Sequence, residues 1–495
     1  MRFLRLLLIV IVLLEVSGLC FASTVGIATG NRTVDGRPLL FKNRDRTDAF
    51  PADVQYYQGS SALGEYSYVY HKNLSQSHTC VRMGINTAGF GIGNSDSENL
   101  SGTGAGMSNS QLLAEALRTC ATIQDFRDLL DATNGSRDVH AHVAVIDAGG
   151  NGSLFEIDGW SYVELPVVDS VAVMANTAKY HPSAGPPAAG STSPYREARA
   201  VELFNLAPAQ GLDYRYFVQE IIKDFCLNQI YENMMPIGQY RTNPVLSRYK
   251  TVAGAVIRGC KPGDDPLVES VMWLTLGEPS MSLALPFFPN VDEVFDFIRY
   301  IAPDQGMPGA GDRIRQLVYD YSGGRYADQY ADTYALVDIR SFTFPLQDSL
   351  FDNYEQQLIR WRNWGATQAA DSMKFWTYDI HAFALTEYQN IYNLLTGLDS
   401  DETISPRNSF RLQENFPNPF NSDTEIEYYL PRSTPVRHQV FDLNGREIWH
   451  RQFALQNAGW HRIHLQFWRG YSGGVYFFRM RAGGHHKTIK MIYLP

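Results

Sequence analysis

The sequence predicts a layered α+β domain followed by a small β-sandwich, and three observations lead to this prediction. The chain has 495 residues, enough for two to four domains, and its 44% hydrophobic and 19% charged residues are typical of globular proteins. Between residue 23 and about residue 290, predicted strands cluster at both ends around predicted helices, the order of an α+β domain. From Phe410 onward the pattern changes to short alternating strands.

The charge of the chain excludes one large class of function. The formal net charge is -10, whereas non-specific binding of nucleic acid needs a basic surface. The sequence also carries no phosphate-binding P-loop and no dinucleotide-binding fingerprint. We therefore expect no nucleic-acid partner and no nucleotide cofactor.

Residues 1–22 are predicted to be a signal peptide. Arg2 and Arg5 precede an apolar run from Leu6 to Leu14, and Ala22 supplies the small residue that signal peptidase prefers. The run is shorter than the roughly 20 residues that span a bilayer, so a retained anchor helix is the less favoured alternative. A lipoprotein interpretation of Cys20 is weaker still, because bulky Leu19 precedes it. We expect an exported protein that begins at Ser23.

The first domain is predicted to consist of hairpins around helices. Turns at 33–36, 87–89 and 148–152 each separate two strand-like runs. Helical periodicity lies between the second and third hairpins and again after Ser193. Further strands are predicted over 251–258, 270–276 and 282–286. Together these elements predict a domain over residues 23–397.

The last part of that domain, residues 290–397, is predicted to be an aromatic helical extension. Leu350, Tyr354, Leu358 and Trp361 recur at helical spacing, which indicates a packing face rather than a ligand site. Residues 398–409 are polar and are predicted to be a linker.

Residues 410–495 have the length of a small Ig-like β-sandwich. They carry spaced motifs in order, among them 415–421 (NFPNPFN), 441–447 (FDLNGRE) and 472–477 (SGGVYF). This segment resembles the type A sorting domain of type IX secretion. The resemblance implies the type IX secretion machinery as a partner, and a location outside a Gram-negative cell or on its outer surface. An adhesion-like module with no sorting role is the alternative.

Cleavage after Ala22 would give Ser23 a free α-amine next to its own hydroxyl. A hydroxyl is a weak nucleophile unless a base removes its proton, and a neutral terminal amine can be that base. Many exported proteins begin with Ser without using it chemically, so the residues that follow decide the interpretation.

Those residues resemble the start of the N-terminal-nucleophile linear amide hydrolases. The relevant families are choloylglycine hydrolase, penicillin V acylase and the isopenicillin N acyltransferase group. The matching segments are 23–28, the Asp35-Gly36 turn and Lys42-Asn43-Arg44-Asp45, followed in order by 84–92, 147–156, 175–177, 193–196 and 277–279. The resemblance covers roughly residues 23 to 390. It implies a four-layer αββα fold and an exported hydrolase or acyltransferase that acts on linear C–N amide bonds.

The resemblance also implies roles for particular residues. Ser23 would be the nucleophile, Asp45 would hold its α-amine, and Asn176 would stabilise the oxyanion. Further site residues are Asn94 as a second donor and Lys42 and Arg196 as orienting cations, with Arg199 as the alternative to Arg196 if the register slips.

Two departures from the family pattern leave an alternative open. Ser23 replaces the usual Cys, and Lys42 stands where the bile-salt branch has Arg. A catalytically dead binding protein that keeps the fold is therefore the second hypothesis. The substrate, the choice between hydrolysis and transfer, and removal of the tail after export stay open.

The remaining chemical residues are expected to be structural. His140 and His142 have the spacing of a metal pair, but no third ligand is evident, so we expect no metal. Cys80, Cys120, Cys226 and Cys260 allow three disulfide connectivities, and we expect at least two of these residues to be buried thiols.

Overall fold

A computed structural model describes residues 23–46, 52–73, 80–225, 239–243, 245–300, 305–323, 329–396, 410–430, 434–443, 445–457, 459–467, 471–482 and 485–494. The predicted signal peptide over 1–22, Cys226 and the predicted linker over 398–409 lie outside these residues.

The chain divides into two compact units, with the boundary between Ile391 and Tyr392. Unit 1 precedes this boundary and unit 2 follows it. Among the described residues, no helix combines the length and apolar character needed to cross a membrane.

The strands of unit 1 have short, well-defined bounds. In chain order they are β1 (Ser23–Ala28), β2 (Leu39–Asp45), β3 (Ala52–Tyr57), β4 (Tyr68–Asn73), β5 (Val81–Asn86), β6 (Gly91–Asp96), β7 (Met107–Ser108), β8 (Arg137–Asp138), β9 (Ala141–Ile146), β10 (Gly152–Ile157), β11 (Tyr162–Val167), β12 (Val171–Met174), β13 (Gln239–Arg241), β14 (Thr251–Arg258), β15 (Val271–Leu276), β16 (Ala284–Phe287) and β17 (Tyr330–Asp332).

The helices of unit 1 fall between and after these strands, and the last of them extends past the boundary to Thr396. They are α1 (Asn109–Thr119), α2 (Ile123–Thr133), α3 (Ser193–Asn205), α4 (Tyr214–Tyr216), α5 (Pro266–Glu269), α6 (Gly306–Gln316), α7 (Thr333–Trp361) and α8 (Ala366–Thr396). A π-helical turn over Phe217–Ile222 continues α4. Capping boxes begin α1 and α2, with Ser108 and Gln111 in the first and Thr122 and Asp125 in the second.

Two antiparallel sheets face each other at the centre of unit 1. The first sheet has the order β12-β1-β2-β14-β15-β16, and the second has the order β11-β10-β9-β6-β5-β4-β3. Strands β1 and β2 of the first sheet contact β6 and β9 of the second. All residues of β1 and β2 are buried, as expected for strands that are covered on both faces.

A helical layer covers the outer face of each sheet. Helix α1 contacts β5 and β6, and Leu117 and Phe126 belong to the core on that side. On the other side, α3 contacts β12, and the π-helical turn contacts β2 and β14. The ring of Phe41 on β2 packs against Phe204 and Phe217 of this layer. The layer order is therefore αββα, and the predicted fold class is confirmed.

The aromatic extension is largely helical, as predicted, and consists mainly of α6, α7 and α8. Leu350, Tyr354, Leu358 and Trp361 are all buried, which confirms that their stripe is a packing face. One element departs from the helical prediction, because β17 pairs with β13 in a two-stranded sheet.

Unit 2 is a β-sandwich, as predicted. Its strands are β18 (Arg411–Leu412), β19 (Asp423–Leu430), β20 (Thr434–Phe441), β21 (Glu447–Gln456), β22 (Gly459–Gln466), β23 (Gly474–Ala482) and β24 (His485–Tyr493). They form the sheets β18-β19-β22 and β21-β20-β23-β24. Residues of both sheets, including Ile426, Val440 and Phe478, share one apolar core.

The cysteine prediction is confirmed for two residues. Cys120 and Cys260 are buried free thiols. A domain of this size has enough core to be stable without disulfides.

Candidate active site

Ser23 is the first residue of β1 and lies in the interior of unit 1. Only 1% of its surface is exposed. It pairs with Arg44 on β2, while pairing with β12 begins two residues later, at Val25 and Met174. The chain that leaves β12 therefore passes the Ser23 end of β1, and this topology delivers Asn176 to the site.

Asn176 holds the main-chain nitrogen of Ser23. Its Oδ1 accepts a hydrogen bond from Ser23 N at 3.1 Å. Its Nδ2 donates to the main-chain oxygen of Asp96 at 2.6 Å and to Ser95 Oγ at 3.0 Å. Because a main-chain oxygen can only accept, the contact with Asp96 assigns the two ends of the amide.

Arg196 reaches the same point from α3. Its Nη1 donates to Ser23 O at 2.6 Å and to Thr24 Oγ1 at 2.7 Å, and its Nη2 donates to Asn176 Oδ1 at 2.6 Å. Pro at the second position of α3 suits the first turn of a helix, and Arg196 lies one turn into α3 with 1% of its surface exposed. The guanidinium thus fixes both the start of β1 and the amide that contacts it.

Ser95 connects the second sheet to this site. Its Oγ donates to Ser23 O at 3.1 Å. Ser95 was not among the predicted site residues, although it directly follows Asn94. Its position on a strand that faces β1 is a property of the tertiary structure.

Lys42 and Asn94 contact each other rather than Ser23. Lys42 Nζ donates to Asn94 Oδ1 at 2.7 Å and to Arg82 O at 2.9 Å. The Lys42 side chain passes close to Gly93, where a β-carbon would lie 3.6 Å from Lys42 Cδ. Burial, and then the charge of Arg44, hold the pKa of Lys42 well below its usual value.

Asp45 is engaged by a second buried arginine. Its Oδ2 accepts from Arg248 Nε at 2.8 Å, and its Oδ1 accepts from Thr251 Oγ1 at 2.6 Å. In this arrangement Asn176, and not Asp45, holds the Ser23 nitrogen. Arg248 was missed in the sequence, because a lone Arg in a loop carries no signal of the carboxylate that it will meet.

Arg199, the alternative to Arg196, has partners elsewhere. Its guanidinium pairs with Asp224 at 2.8 Å and with Glu202 at 3.0 Å. Arg196 therefore occupies the position next to Ser23.

The histidine pair has separate hydrogen-bond partners. Nδ1 of His140 contacts Ser97 O at 3.2 Å, and Nδ1 of His142 contacts Ala175 O at 2.7 Å. Within the described part of the chain, no group of three or more His, Cys, Asp or Glu side chains could hold a metal ion.

Three side chains thus converge on the main chain of Ser23 from distant parts of the sequence. Asn176 contacts its nitrogen, and Arg196 and Ser95 contact its oxygen. Chemically, this arrangement fixes the position and direction of one residue at the start of a strand.

The comparisons with known proteins identify the tail of the chain. Residues 414–493 match the family model of the secretion system C-terminal sorting domain. This match confirms the predicted sorting domain and indicates secretion to the cell surface or beyond it. No curated protein sequence matches the chain.

Solved structures match about half of the chain. A single-residue variant of the conjugated bile acid hydrolase from Clostridium perfringens is 11% identical, covering 54% of this chain and 93% of its own, with a TM-score of 0.38. Penicillin V acylase from Agrobacterium tumefaciens is 13% identical, covering 54% and 86%, with a TM-score of 0.33. The Caenorhabditis elegans ortholog of N-acylethanolamine-hydrolyzing acid amidase is 13% identical, covering 48% and 94%, with a TM-score of 0.33.

Proposed function

We propose that the protein is an exported hydrolase or acyltransferase that acts on linear C–N amide bonds through Ser23. Cleavage after Ala22 would expose the nucleophile. The observation that carries this proposal is the contact of Asn176 with the nitrogen of Ser23, together with the contact of Arg196 with its oxygen. If Ser23 were the first residue of the mature protein but had no chemical role, side chains would not need to hold both its main-chain nitrogen and its main-chain oxygen.

The first step requires a free and neutral α-amine. While Ala22 is attached, the nitrogen of Ser23 is an amide and cannot accept a proton. After cleavage, the amine removes the proton of Ser23 Oγ as the oxygen attacks the substrate carbonyl. The amine can act in this way only in its neutral form, so the reaction requires a pH at which the amine is unprotonated.

The second step expels the amine of the substrate. The Ser23 ammonium gives its proton to the leaving nitrogen, and an acyl ester forms on Ser23 Oγ. Water, or a second amine in the case of transfer, then attacks the ester and releases Ser23.

The proposed role of Asn176 as an oxyanion donor places a condition on its amide. Nδ2 donates to Ser95 Oγ and Asp96 O in this structure. Stabilisation of the oxyanion would require Nδ2 to exchange its bond to Ser95 for one to the substrate oxygen. Holding the Ser23 nitrogen through Oδ1 requires no such change.

The domain limits are part of the proposal. Residues 23–397 would carry the activity, 398–409 would link the two domains, and 410–495 would engage the type IX secretion machinery. The match over residues 414–493 supports the last assignment.

The test compares chains that differ only at the nucleophile. The protein beginning at Ser23 should hydrolyse at least one member of a panel of N-acyl amides, and Ser23→Ala should abolish that activity while the domain stays folded. A retained Met before Ser23 should have nearly the same effect, because the acylated nitrogen cannot accept a proton. Ser23→Cys should remain active, because a thiol is the better nucleophile.

Two results would contradict the mechanism. Full activity of the Met-extended chain would exclude the α-amine as the base. Ligand binding without turnover in every chain would instead indicate a binding protein with the hydrolase fold.

A further inference from the structure

A serine, a histidine and an aspartate meet at the end of the hairpin formed by β10 and β11. Residues 158–161 are the loop that joins these two strands. Ser161 Oγ lies 3.2 Å from Nε2 of His181 and 3.3 Å from Asp158 Oδ1, and Nδ1 of His181 lies 3.7 Å from Asp158 Oδ2. Ser161 is exposed, whereas His181 and Asp158 are buried. The hydroxyl can therefore meet a ligand from solvent while its two partners are shielded from water.

The hydroxyl of Ser183 connects the histidine to the aspartate. Ser183 Oγ lies 2.8 Å from Nδ1 of His181, and it donates to Asp158 Oδ2 at 2.8 Å. Because a carboxylate can only accept, the Ser183 proton lies toward Asp158, and we assign a proton to Nδ1, which donates to Ser183 Oγ. Ser183 N is a longer contact of Nδ1, at 3.3 Å. With this tautomer, Nε2 is free to accept the proton of Ser161.

A buried arginine holds the loop in place. Arg137 is fully buried, and it donates from Nε to Asp158 O at 2.9 Å and from Nη2 to Ser161 O at 3.0 Å. Gly159 packs so closely on the neighbouring chain that a β-carbon there would lie 2.7 Å from Thr103 N. The serine and the aspartate are therefore fixed before a ligand arrives, which favours catalysis because no ordering is needed during the reaction.

Asp158 remains a carboxylate in spite of its burial. Burial alone would raise its pKa, but hydrogen bonds from Trp160 N, the Ser183 hydroxyl and Ser161 N outweigh this effect and hold the pKa below its usual value. A carboxylate at this place favours the imidazolium that forms when His181 accepts a proton. The group thus contains a nucleophile, a base and a residue that orients the base.

The main-chain nitrogens of the loop restrict the reactions that Ser161 can carry out. Ser161 N and Trp160 N donate to Asp158 Oδ1 at 2.7 and 2.8 Å, and Gly159 N donates to Ser101 O at 3.0 Å. These three donors therefore stabilise the loop and not an oxyanion. Amide hydrolysis depends strongly on oxyanion stabilisation, whereas an ester of a phenol needs less of it, because a phenolate is a better leaving group than an amine. The loop therefore favours ester chemistry.

Two exposed aromatic residues adjoin the nucleophile and its base. Trp160 directly precedes Ser161 and is 54% exposed, and Tyr180 directly precedes His181 and is 57% exposed. Aromatic side chains bind other rings in stacked or edge-to-face arrangements. These neighbours therefore favour a substrate that carries an aromatic ring.

We propose that Ser161, with His181 as its base, is a second nucleophilic site that hydrolyses aryl esters. Ser161 Oγ attacks the ester carbonyl carbon while Nε2 of His181 takes its proton; the bond from that carbon to the phenol oxygen then breaks, and the ring returns the proton to the phenol oxygen. Water next attacks the acyl group on Ser161 with His181 again transferring the proton, and a carboxylic acid leaves. This site uses neither Ser23 nor a free α-amine, so it is independent of the proposed function.

The first test labels the nucleophile in Ser23→Ala, so that the candidate active site cannot contribute. With diisopropyl fluorophosphate, Ser161 Oγ should bond to phosphorus, fluoride should leave, and the proton should pass to His181. Peptide mass spectrometry should place the label on Ser161, on the order of 100-fold faster than on Ser136, an exposed serine whose hydroxyl donates to a main-chain oxygen. Labelling of Ser161 that is no faster than that of Ser136 would overturn the proposal.

The second test measures kcat/KM for 4-nitrophenyl acetate in the same Ser23→Ala chain. Adding Ser161→Ala or His181→Gln should lower it on the order of 100-fold. The controls are Ser136→Ala and His464→Gln, because His464 pairs with a carboxylate at the surface, and both should keep the rate. If His181→Gln lost activity while Ser161→Ala kept it, the imidazole itself would be the nucleophile, and the role of Ser161 would be refuted.

Ser183 is expected to be a positioning residue, because it acts through His181. Ser183→Ala should slow the labelling of Ser161 roughly 10-fold, the effect of one hydrogen bond to a charged group, and Ser183→Thr should restore the rate because it keeps the hydroxyl. An equal loss in both variants would contradict the link from His181 to Asp158. Amide hydrolysis through Ser23 should be the same with and without Ser161→Ala, so the failure of one proposal is distinguishable from the failure of the other.

Discussion

Replacement of Asn176 by leucine tests the positioning of Ser23 most directly. The substitution keeps the approximate size of the side chain and removes four described hydrogen bonds: two accepted by Oδ1, from Ser23 N and Arg196, and two donated by Nδ2, to Ser95 and Asp96. At a net value of about 1 kcal/mol each, the free energy of unfolding should fall by about 4 kcal/mol. Loss of the fixed nitrogen should also lower kcat by roughly 100- to 1000-fold, the effect of removing a preorganised polar group.

Asn86 provides a matched control for the loss of stability. It is fully buried, and its side chain also makes four hydrogen bonds, of 2.8 to 3.0 Å, all to main-chain atoms. Asn86→Leu should therefore lower the free energy of unfolding by a similar amount. Because these hydrogen bonds involve none of the active-site residues, its kcat should stay within a few-fold of the original.

The assay combines urea unfolding with steady-state kinetics, at a temperature where circular dichroism shows that both variants are folded. If Asn176→Leu lost no more activity than Asn86→Leu, the positioning role of Asn176 would be refuted. Asn176→Asp adds a further comparison, because it keeps an acceptor for the nitrogen of Ser23 and loses the Nδ2 donor.

Three more predictions concern charge and pH. Arg248→Met removes the guanidinium that holds the buried Asp45 carboxylate, so the free energy of unfolding should fall by about 3 to 5 kcal/mol, as measured by urea unfolding. Adding Asp45→Asn to the same chain should recover part of the lost stability. His438 is buried in unit 2, and burial lowers its pKa to about 4. Between pH 6.5 and pH 4 the unfolded chain therefore binds more protons at this residue than the folded chain does. Up to about 3 kcal/mol of the free energy of unfolding should be lost as the pH falls through that window. His438→Leu should abolish this loss in calorimetry, and an unchanged acid transition would contradict the reasoning. The rate should rise with pH as the Ser23 ammonium loses its proton, and a rate that is flat with pH would argue against the amine as base.

Much of the fold could be predicted because its signals are local. Hairpins at 33–36, 87–89 and 148–152 follow from turn residues between strand-forming runs, and α1 and α2 follow from periodic apolar residues. The aromatic stripe of α7 follows from the same periodicity. The pairing of β13 with β17 was not predicted, because such short strands, far apart in the chain, carry no local pattern.

The candidate site was predictable only in part. Ser23, Asn176 and Arg196 were identified by resemblance, and the structure brings them together. Asp45, Lys42 and Asn94 were identified in the same way, but their hydrogen bonds go to other partners. A sequence motif specifies residue types, but it does not determine which hydrogen-bond donor will contact which acceptor in the folded chain.

Most secondary-structure elements and the sorting tail could be derived from the sequence, because each depends on neighbouring residues or on an ordered motif. The surroundings of Ser23 are a matter of tertiary structure alone. In the folded chain, Arg44 lies opposite Ser23 on the neighbouring strand, and Ser95 of the second sheet donates a hydrogen bond to the main-chain oxygen of Ser23. Arg248 donates a hydrogen bond to the Asp45 carboxylate. The physical reason is that hydrogen bonds and charge pairs between distant segments depend on sheet register and on the facing of the two sheets, and neither is written in any short stretch of the chain.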